Sequence, residues 1–307
     1  MDEYRCRDGY EASDSQLLTV HTHNTCRILT SSAHGTRNEV GMLKIGNMLW
    51  RIGELLDFDL QLAWTRDAGF GGVGFHASAG VPGKWCGIEP SACDVMERER
   101  LRREIGRFSF SEIHAPFAIE LKTGALFSSI TALMPVLTLA EDLDVGVVTV
   151  HAQLPGADSD VSAWLVPMQE LDAESARTQT SVALEITEGF DMVMRWGLTN
   201  VGVNLDVGHM YMPDNRQTLT DMGGIGKLIR HIGGSLIHLH LHDVDGDTDH
   251  IEIGTGVVAF DEIAGALRDI GYPYGVTLEL NPDRVTPEGI RRSAEHVRRC
   301  FCEAGIE

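Results

Sequence analysis

Eight short apolar runs, separated by longer amphipathic stretches, constrain the fold of this chain more than any other feature of its sequence. The runs are Met42–Gly46, Gly72–His76, Phe110–His114, Val145–His151, Val182–Glu185, Val201–Asp206, Leu236–His240 and Gly275–Glu279. They are rich in Val, Ile and Leu and mostly lack alternation of polar and apolar residues, which is typical of parallel strands buried on both faces. Strands that alternate with helices in this way build βαβ units.

The stretches between the runs predict helices. Three of them are Ser128–Leu143, Phe260–Ile270 before a Gly-Tyr-Pro stop, and Pro287–Ala304. The charged stretch Arg98–Arg107 is interpreted as the solvated face of the second helix. Eight βα units favour a single closed (β/α)8 barrel. An open doubly wound sheet is the alternative, but no GxGxxG motif follows the first run, which disfavours a dinucleotide-binding version of it.

The barrel is predicted to occupy residues 41–307, because no linker rich in Pro or Ser interrupts the rhythm there. Residues 1–40 carry Ser, Thr, Asn, His and Gly with little periodicity, and we interpret them as an N-terminal extension. A barrel of this class takes about 250 residues with its loops, so the length of 307 residues fits one barrel with such an extension.

The formal net charge of −20, from 45 Asp and Glu against 25 Lys and Arg, restricts the class of partner. Nucleic-acid binding is disfavoured, because a basic face usually supplies much of that affinity. No run approaches the roughly 20 apolar residues of a membrane helix, and the polar N-terminus has no apolar signal core. We therefore expect a cytoplasmic protein without a membrane span. Its six cysteines form no CxxC pair and are expected to be free thiols.

Seven of the eight runs end, or nearly end, with a side chain that is able to bind a metal. In order these are His76, His114, His151, Glu185, Asp206, His240 and Glu279. In a (β/α)8 barrel the C-terminal strand ends share one mouth, where active sites lie, so we expect these side chains to converge on a metal site. Carboxylates mixed with imidazoles suit Mn²⁺, Zn²⁺, Fe²⁺ or Co²⁺. The absence of cysteine from the set argues against a structural zinc site.

Two loops after the runs add further polar side chains. His209 follows Asp206 by three residues, and a run of aspartates with His250 follows His240 before a Gly-Thr-Gly turn. His240 and His242 lie two residues apart on a strand and share a face, so only one of them is needed as a ligand.

Six segments carry a resemblance to a known family. They are EIHAPF (112–117), VVTVHAQLPG (147–156), ALEITEG (183–189), NLDVGHM (204–210), HLHD…DHIEIGTG (240–256) and TLELN (277–281). In this order they resemble the successive motifs of the xylose isomerase-like TIM barrels, over roughly residues 42–300. That superfamily contains sugar isomerases and epimerases and also the endonuclease IV type of AP endonuclease. The six motifs together are specific for the superfamily but not for one reaction.

The resemblance to the isomerases and epimerases implies one divalent ion held by Glu185, Asp206, His240 and Glu279, with His209 as a substrate contact. The two glutamates are then expected to exchange protons with a small sugar-like polyhydroxy carbonyl compound through an enediolate, while the ion acts as a Lewis acid. The catalytic residues implied in this way are Glu185, Glu279 and His209. A small-molecule substrate is the expected partner, and a homo-oligomer is left open.

Two alternatives also stay open. The resemblance to endonuclease IV implies a multinuclear zinc phosphodiesterase with further ligands, here His114, His151, His209, His250 and an aspartate before His250. The Asp-x-His pattern of that family falls on Thr248, flanked by Asp247 and Asp249, and the net charge disfavours a DNA substrate. A lyase or dehydratase would begin with the same proton abstraction as an isomerase. His76 is a further residue expected to contact metal or substrate.

Overall fold

The computed structural model of the protein describes residues 44–155 and 162–306. The N-terminal extension predicted for residues 1–40 lies outside the described residues, and the domain boundary near residue 40 stays a prediction.

Eight parallel strands close into a barrel. The described strands are β1 (Ile45–Leu49), β2 (Gly72–His76), β3 (Phe110–His114), β4 (Glu120–Lys122), β5 (Val147–Gln153), β6 (Ser181–Glu185), β7 (Val201–Asp206), β8 (Leu236–Leu241), β9 (Asp243–Asp245), β10 (Thr248–Ile251) and β11 (Val276–Leu278). The wall runs β3-β2-β1-β11-β8-β7-β6-β5, and β3 pairs with β5 to complete the circle. β4 pairs with β5 beside the wall, and β9 and β10 form a separate antiparallel pair. The predicted TIM barrel is confirmed.

Helices between the strands cover the barrel. Those in the described residues are α1 (Phe58–Asp67), α2 (Val95–Ile105), α3 (Leu126–Leu143), α4 (Ser162–Thr178), α5 (Phe190–Trp196), α6 (Arg216–Asp221), α7 (Ile225–Ile232), α8 (Phe260–Asp269) and α9 (Pro287–Glu303). Asp57, Asp94 and Thr286 cap α1, α2 and α9 by accepting a hydrogen bond from the backbone N–H of the third helical residue. Such a cap contributes about 1 kcal/mol to stability.

The first strand begins later than predicted. The apolar run suggested Met42–Gly46, whereas β1 spans Ile45–Leu49. The predicted run ended at Gly46, before the polar Asn47, but this side chain is buried between β1 and α1 and donates a hydrogen bond to Oγ1 of Thr65 on α1 at 3.2 Å. The other seven strands lie within two residues of their predicted bounds.

The charged stretch Arg98–Arg107 forms most of α2 and its C-terminal end, as predicted. Arg98 pairs with Asp142 on α3, and Arg100 pairs with Asp59 on α1 at 2.8 Å, so the charges join neighbouring helices at the surface. By length and composition α3 is the one described helix that could cross a membrane. In the structure its Leu133 and Leu137 are fully buried within the barrel's hydrophobic core.

A phenylalanine ring fills the N-terminal end of the barrel. A Cβ atom on Gly72 would lie 1.9 Å from the ring of Phe110, and one on Gly275 would lie 2.5 Å from it. Both positions therefore need glycine so that the ring fits between the strands. The next layer toward the C-terminal strand ends is polar and fully buried, and it contains Glu112 and His238. This layer lies directly beneath the candidate site.

Candidate active site

The barrel register places the predicted metal-binding side chains beside one another at one mouth. His76 on β2 pairs with His114 on β3, His151 on β5 pairs with Glu185 on β6, and Asp206 on β7 pairs with His240 on β8. Glu279 directly follows β11, the neighbour of β8. The residues of the implied one-metal set, Glu185, Asp206, His240 and Glu279, are each at most 8% exposed.

One imidazole nitrogen lies at the centre of this set. Nδ1 of His240 is 2.9 Å from Oε2 of Glu279 and 3.4 Å from Oε2 of Glu185. Asp206, His240 and Glu279 each offer a ligand atom within 4.8 Å of the others. Two glutamates from different strands thus face the same nitrogen, with an aspartate next to them.

Asp206 is held in place by its neighbours but keeps one oxygen free of hydrogen bonds. Its Oδ1 accepts a hydrogen bond from the backbone N–H of His209 at 3.1 Å, and Nε2 of His242 lies 2.8 Å from the same oxygen. Its Oδ2 is buried and accepts no hydrogen bond from the described residues, although Nδ1 of His209 is 3.1 Å away. A buried carboxylate oxygen without a donor suits a bound cation.

Three further predicted histidines surround Glu185. Nε2 of His114 lies 3.4 Å from Oε2 of Glu185, while Nε2 of His151 and Nδ1 of His209 each lie 3.5 Å from its Oε1. Nδ1 of His114 is 2.7 Å from the carbonyl oxygen of Ala115, so it carries the proton and donates it there. Nε2 of His114 faces Glu185, which raises the pKa of His114 against the opposing effect of burial. The His151 and His209 side chains are about a third exposed, at 34% and 29%, and so border the open mouth.

The hairpin β9–β10 brings one of its predicted residues to the site. Nε2 of His250 lies 3.8 Å from Oε2 of Glu279. Asp249 faces Nδ1 of His250 at 3.3 Å but also accepts a hydrogen bond from Arg284 at 2.7 Å. Asp247 is exposed in the turn between the two strands and belongs to none of the groups of potential ligands in the described part of the chain. The structure thus leaves Asp247 outside the site.

His76 lies at the mouth among aromatic rings, with its ring centroid 4.7 Å from that of His114. Its ring centroid is 5.3 Å from Trp50, 5.2 Å from Trp85 and 5.0 Å from Phe117. Neither of its nitrogens has a hydrogen-bond partner within residues 44–155 and 162–306. Burial, together with the neighbouring His114, lowers the pKa of His76 to about 3. His76 is thus buried among aromatic rings, and its contact with metal or substrate stays a prediction.

Three site residues, Glu112, Asn204 and His238, were missed in the sequence, and His242 was considered there only as an alternative to His240. Glu112 on β3 accepts from His240 and His238, Asn204 on β7 donates to Glu185 at 3.3 Å, and His242 faces Asp206. Glu112 stood inside the quoted EIHAPF motif, and His238 and His242 continue the two-residue spacing of His240. That spacing was a usable signal, because residues two apart on a strand share a face.

His242 lies beside Asp206, with its Nε2 2.8 Å from Oδ1, and it belongs to a group of potential ligands with Asp206, His209 and His250. Its Nδ1 accepts a hydrogen bond from the backbone N–H of His250 at 2.9 Å. The same Nδ1 lies 3.2 Å from the carbonyl oxygen of Asp243. The ring stacks on His250 with centroids 3.9 Å apart and rests against the backbone of Gly208. His240 is accordingly the histidine of the pair that presents a nitrogen to the glutamates.

The electrostatics of the site favour a bound cation. Burial raises the pKa of Glu185 and Glu279, but the surrounding histidines outweigh burial and hold both values well below the usual range. Burial likewise opposes the charge on His209, but Asp206 and Glu185 raise its pKa to about 9. The carboxylates are therefore ionised at neutral pH and require positive charge between them. Two or three carboxylates with one or more imidazoles is the donor chemistry of Mn²⁺, Zn²⁺, Fe²⁺ or Co²⁺ sites, so the residues present fit a divalent metal.

Comparison with known proteins agrees with this architecture. The family described as "Xylose isomerase-like TIM barrel" matches residues 62–300. The xylose isomerase domain protein from Planctomyces limnophilus superposes with a TM-score of 0.68 at 16% identity, over 87% of this chain and 99% of that chain. D-Psicose 3-epimerase from Clostridium cellulolyticum H10, in crystal structures with D-tagatose, superposes with a TM-score of 0.65 at 17% identity, over 84% and 99% of the two chains. These similarities show a shared fold.

A shorter match is found to the uncharacterized protein MJ1311 of Methanocaldococcus jannaschii, at 32% identity over 81 residues. The match spans 26% of this chain and 26% of that protein, so it covers about a quarter of the relative's length.

Proposed function

We propose that this chain, which belongs to the xylose isomerase-like TIM barrel family, is a divalent-metal-dependent isomerase or epimerase of a small sugar-like polyhydroxy carbonyl compound. The observation that carries the proposal is the pair of buried glutamates at one imidazole nitrogen. Oε2 of Glu279 and Oε2 of Glu185 lie 2.9 and 3.4 Å from Nδ1 of His240. Two carboxylates that reach one centre from different strands are suited to remove a proton from a substrate carbon and to return one.

Glu185, Asp206, His240 and Glu279 would hold the metal. When bound, the divalent ion supplies Lewis-acid polarisation of substrate oxygens, which makes the neighbouring C–H more acidic. Glu185 and Glu279 are ionised at neutral pH, as a proton acceptor must be. One of them accepts the proton from carbon as general base and becomes protonated, and it can return that proton to the adjacent carbon in an isomerase. In an epimerase the other glutamate, after it takes up a proton from solvent, returns a proton to the opposite face of the same carbon, and the first glutamate releases its own to solvent. His209 borders the mouth and is placed to hydrogen-bond a substrate oxygen.

The substrate class follows from the same chemistry. Proton abstraction needs a C–H next to a carbonyl, and chelation needs a neighbouring hydroxyl, so ketoses and related hydroxy ketones satisfy both requirements. The structural neighbour D-psicose 3-epimerase was solved with D-tagatose, which is a ketohexose. Ketohexoses are therefore the first substrates to test.

The decisive experiment is exchange of the α-hydrogen in deuterated water. The purified protein, loaded with Mn²⁺ or Co²⁺, is incubated with ketohexoses, inosose-like ketones and keto acids, and deuterium incorporation is followed by NMR and mass spectrometry. Deuterium at the carbon next to the carbonyl is the expected result, and the product formed distinguishes isomerisation from epimerisation. No exchange with any member of the panel would refute the proposal.

Variants of the two glutamates connect the exchange to the site. Glu185→Gln and Glu279→Gln should each lower the exchange rate by about 10²–10⁴-fold, which is the usual contribution of a positioned acid or base. Glu99→Gln, an exposed position on α2, is the matched control and should keep the full rate. Exchange at the normal rate in either site variant would contradict the assigned roles.

A second candidate function is the multinuclear phosphodiesterase, and one observation favours it. Nε2 atoms of His114 and His151 both face Glu185, which offers a further group of ligands. Against a DNA substrate, two arginines that follow strands at the mouth are paired with carboxylates, Arg51 with Asp283 and Arg284 with Asp249. Two or more tightly bound metal ions per chain, with cleavage of an abasic duplex and no proton exchange, would favour this function over the isomerase.

A further inference from the structure

We propose that Glu112 is a positioning residue of the metal centre, which holds the proton of His240 on Nε2 and thereby directs Nδ1 toward the metal. The inference rests on the proposed function only in requiring that His240 binds a divalent metal. Glu112 lies on β3, on the far side of the barrel interior from β8, and its side chain is fully buried.

The carboxylate of Glu112 has donors on all sides. Nε2 of His240 is 2.6 Å and Oγ1 of Thr149 is 2.6 Å from its Oε1, while Nε2 of His238 is 2.8 Å and Oγ1 of Thr277 is 2.7 Å from its Oε2. These four donors come from β5, β8 and β11. An ionised carboxylate offers about four acceptor positions, so this carboxylate is fully satisfied by protein groups. The donors compensate the cost of burying its charge, which an unpaired carboxylate could not bear.

The hydrogen bond to Glu112 determines the tautomer of His240. An ionised carboxylate only accepts, so Nε2 of His240 must carry a proton. In the neutral ring the lone pair is then on Nδ1, the nitrogen that faces Glu279 and Glu185. Nδ2 of Asn204, which is a donor, lies 3.1 Å from the same Nδ1 and agrees with this assignment. Without Glu112 either nitrogen of the neutral ring could carry the proton, and His240 could not bind a metal through Nδ1 whenever the proton lay there.

The same contacts account for the position of His238 beside Glu112 without a metal ion bound between them. Glu112, His238 and His240 offer ligand atoms close enough to hold an ion. Both histidines, however, present Nε2 to Glu112 as donors, and a protonated nitrogen has no lone pair for a metal. His238 therefore shares the carboxylate as a second donor and keeps Glu112 oriented. A partner of this kind typically changes metal affinity by 10–100-fold when it is removed.

The first test is spectroscopic and needs no variant. Protein labelled with ¹⁵N in histidine is loaded with Zn²⁺, and the ring nitrogens of His240 are assigned as the signals lost in His240→Gln. The expected spectrum has a proton on Nε2 and a metal-shifted Nδ1. A proton on Nδ1 with metal on Nε2 would overturn the inference.

The second test measures metal affinity. Glu112→Gln keeps the volume but loses the charge and one acceptor, and it should weaken Co²⁺ and Zn²⁺ binding by about 10–100-fold in competition with a chelator. It should also change the visible absorption of the Co²⁺ form. Thr149→Val removes one donor to Glu112 but leaves the His240 contact, and as the matched control it should bind metal nearly as well as the unchanged protein.

The outcomes separate the two proposals. Unchanged protein that binds no divalent metal refutes the metal requirement of the proposed function. Unchanged protein that binds metal, with Glu112→Gln binding it equally tightly, refutes the role of Glu112 alone. If Glu112→Gln does not fold, the ring-nitrogen spectrum of the unchanged protein decides.

Discussion

Gly208→Ala provides a sharp test of how His242 is held beside Asp206. The backbone at Gly208 is helical, with φ −67° and ψ −39°, so the chain conformation accepts alanine there. The obstacle is a side chain. A Cβ atom at this position would lie 2.0 Å from Cε1 of His242, well inside van der Waals contact. The imidazole must therefore move.

The loss of stability in Gly208→Ala follows from the contacts that the His242 ring would lose when it moves. His242 is fully buried and stacked on His250 at 3.9 Å, so it cannot retreat without breaking the hydrogen bond from the backbone N–H of His250. Overpacking costs about 1–3 kcal/mol, and loss of the hydrogen bond adds about 1 kcal/mol. Replacing glycine restricts the unfolded chain and returns about 0.4–1 kcal/mol. The net destabilisation is about 2 kcal/mol by the same sum.

Urea unfolding of four proteins measures this cost: the unchanged protein, Gly208→Ala, His242→Ala and the double variant. Gly208→Ala should lower the urea midpoint at an unchanged slope. In the His242→Ala background the same change should be neutral or stabilising by up to about 1 kcal/mol, because the clash is gone. Gly146→Ala, which meets no atom within 4 Å, is the control. An equal cost of Gly208→Ala in both backgrounds would refute this account of the contact.

Three other predictions concern different parts of the barrel. His209→Ala should raise KM or lower kcat while the metal content stays near that of the unchanged protein, since the ring borders the mouth; loss of the metal together with activity would instead make His209 a ligand. Gly72→Ala should lower the free energy of unfolding by about 1–3 kcal/mol or more, because its Cβ would overlap the ring of Phe110. An unchanged urea midpoint would contradict the packing described at the N-terminal end of the barrel. Cys302 is exposed, whereas burial raises the pKa of Cys300 to about 12, so a thiol reagent at neutral pH should label Cys302 first and Cys300 only on unfolding, as peptide mapping would show.

Much of the fold could be predicted from local chemistry alone. Runs of Val, Ile and Leu without alternation indicated strands buried on both faces, and amphipathic stretches between them indicated the covering helices. The strand ends were equally informative, because the C-terminal ends of barrel strands face one mouth regardless of the sequence or length of the loops. For this reason Glu185, Asp206, His240 and Glu279 could be placed together before any contact was known, and the register of β7 with β8 brings two of them side by side.

The choice of partners across the barrel depended on tertiary structure. Glu112 and His238 lie in the middle of strands 126 residues apart, and only closure of the barrel through the β3–β5 pairing places them 2.8 Å from each other. Asn47 lies just beyond the first predicted run but within β1, and its hydrogen-bond partner, Thr65, lies on a separate helix. Asp247 and Asp249 are indistinguishable in sequence, yet the hairpin turn exposes the first and pairs the second with Arg284. The strand-end residues could be assigned to the mouth from sequence, because their position depends only on strand period and strand ends. Which atoms meet there depends on distances between segments that are remote along the chain.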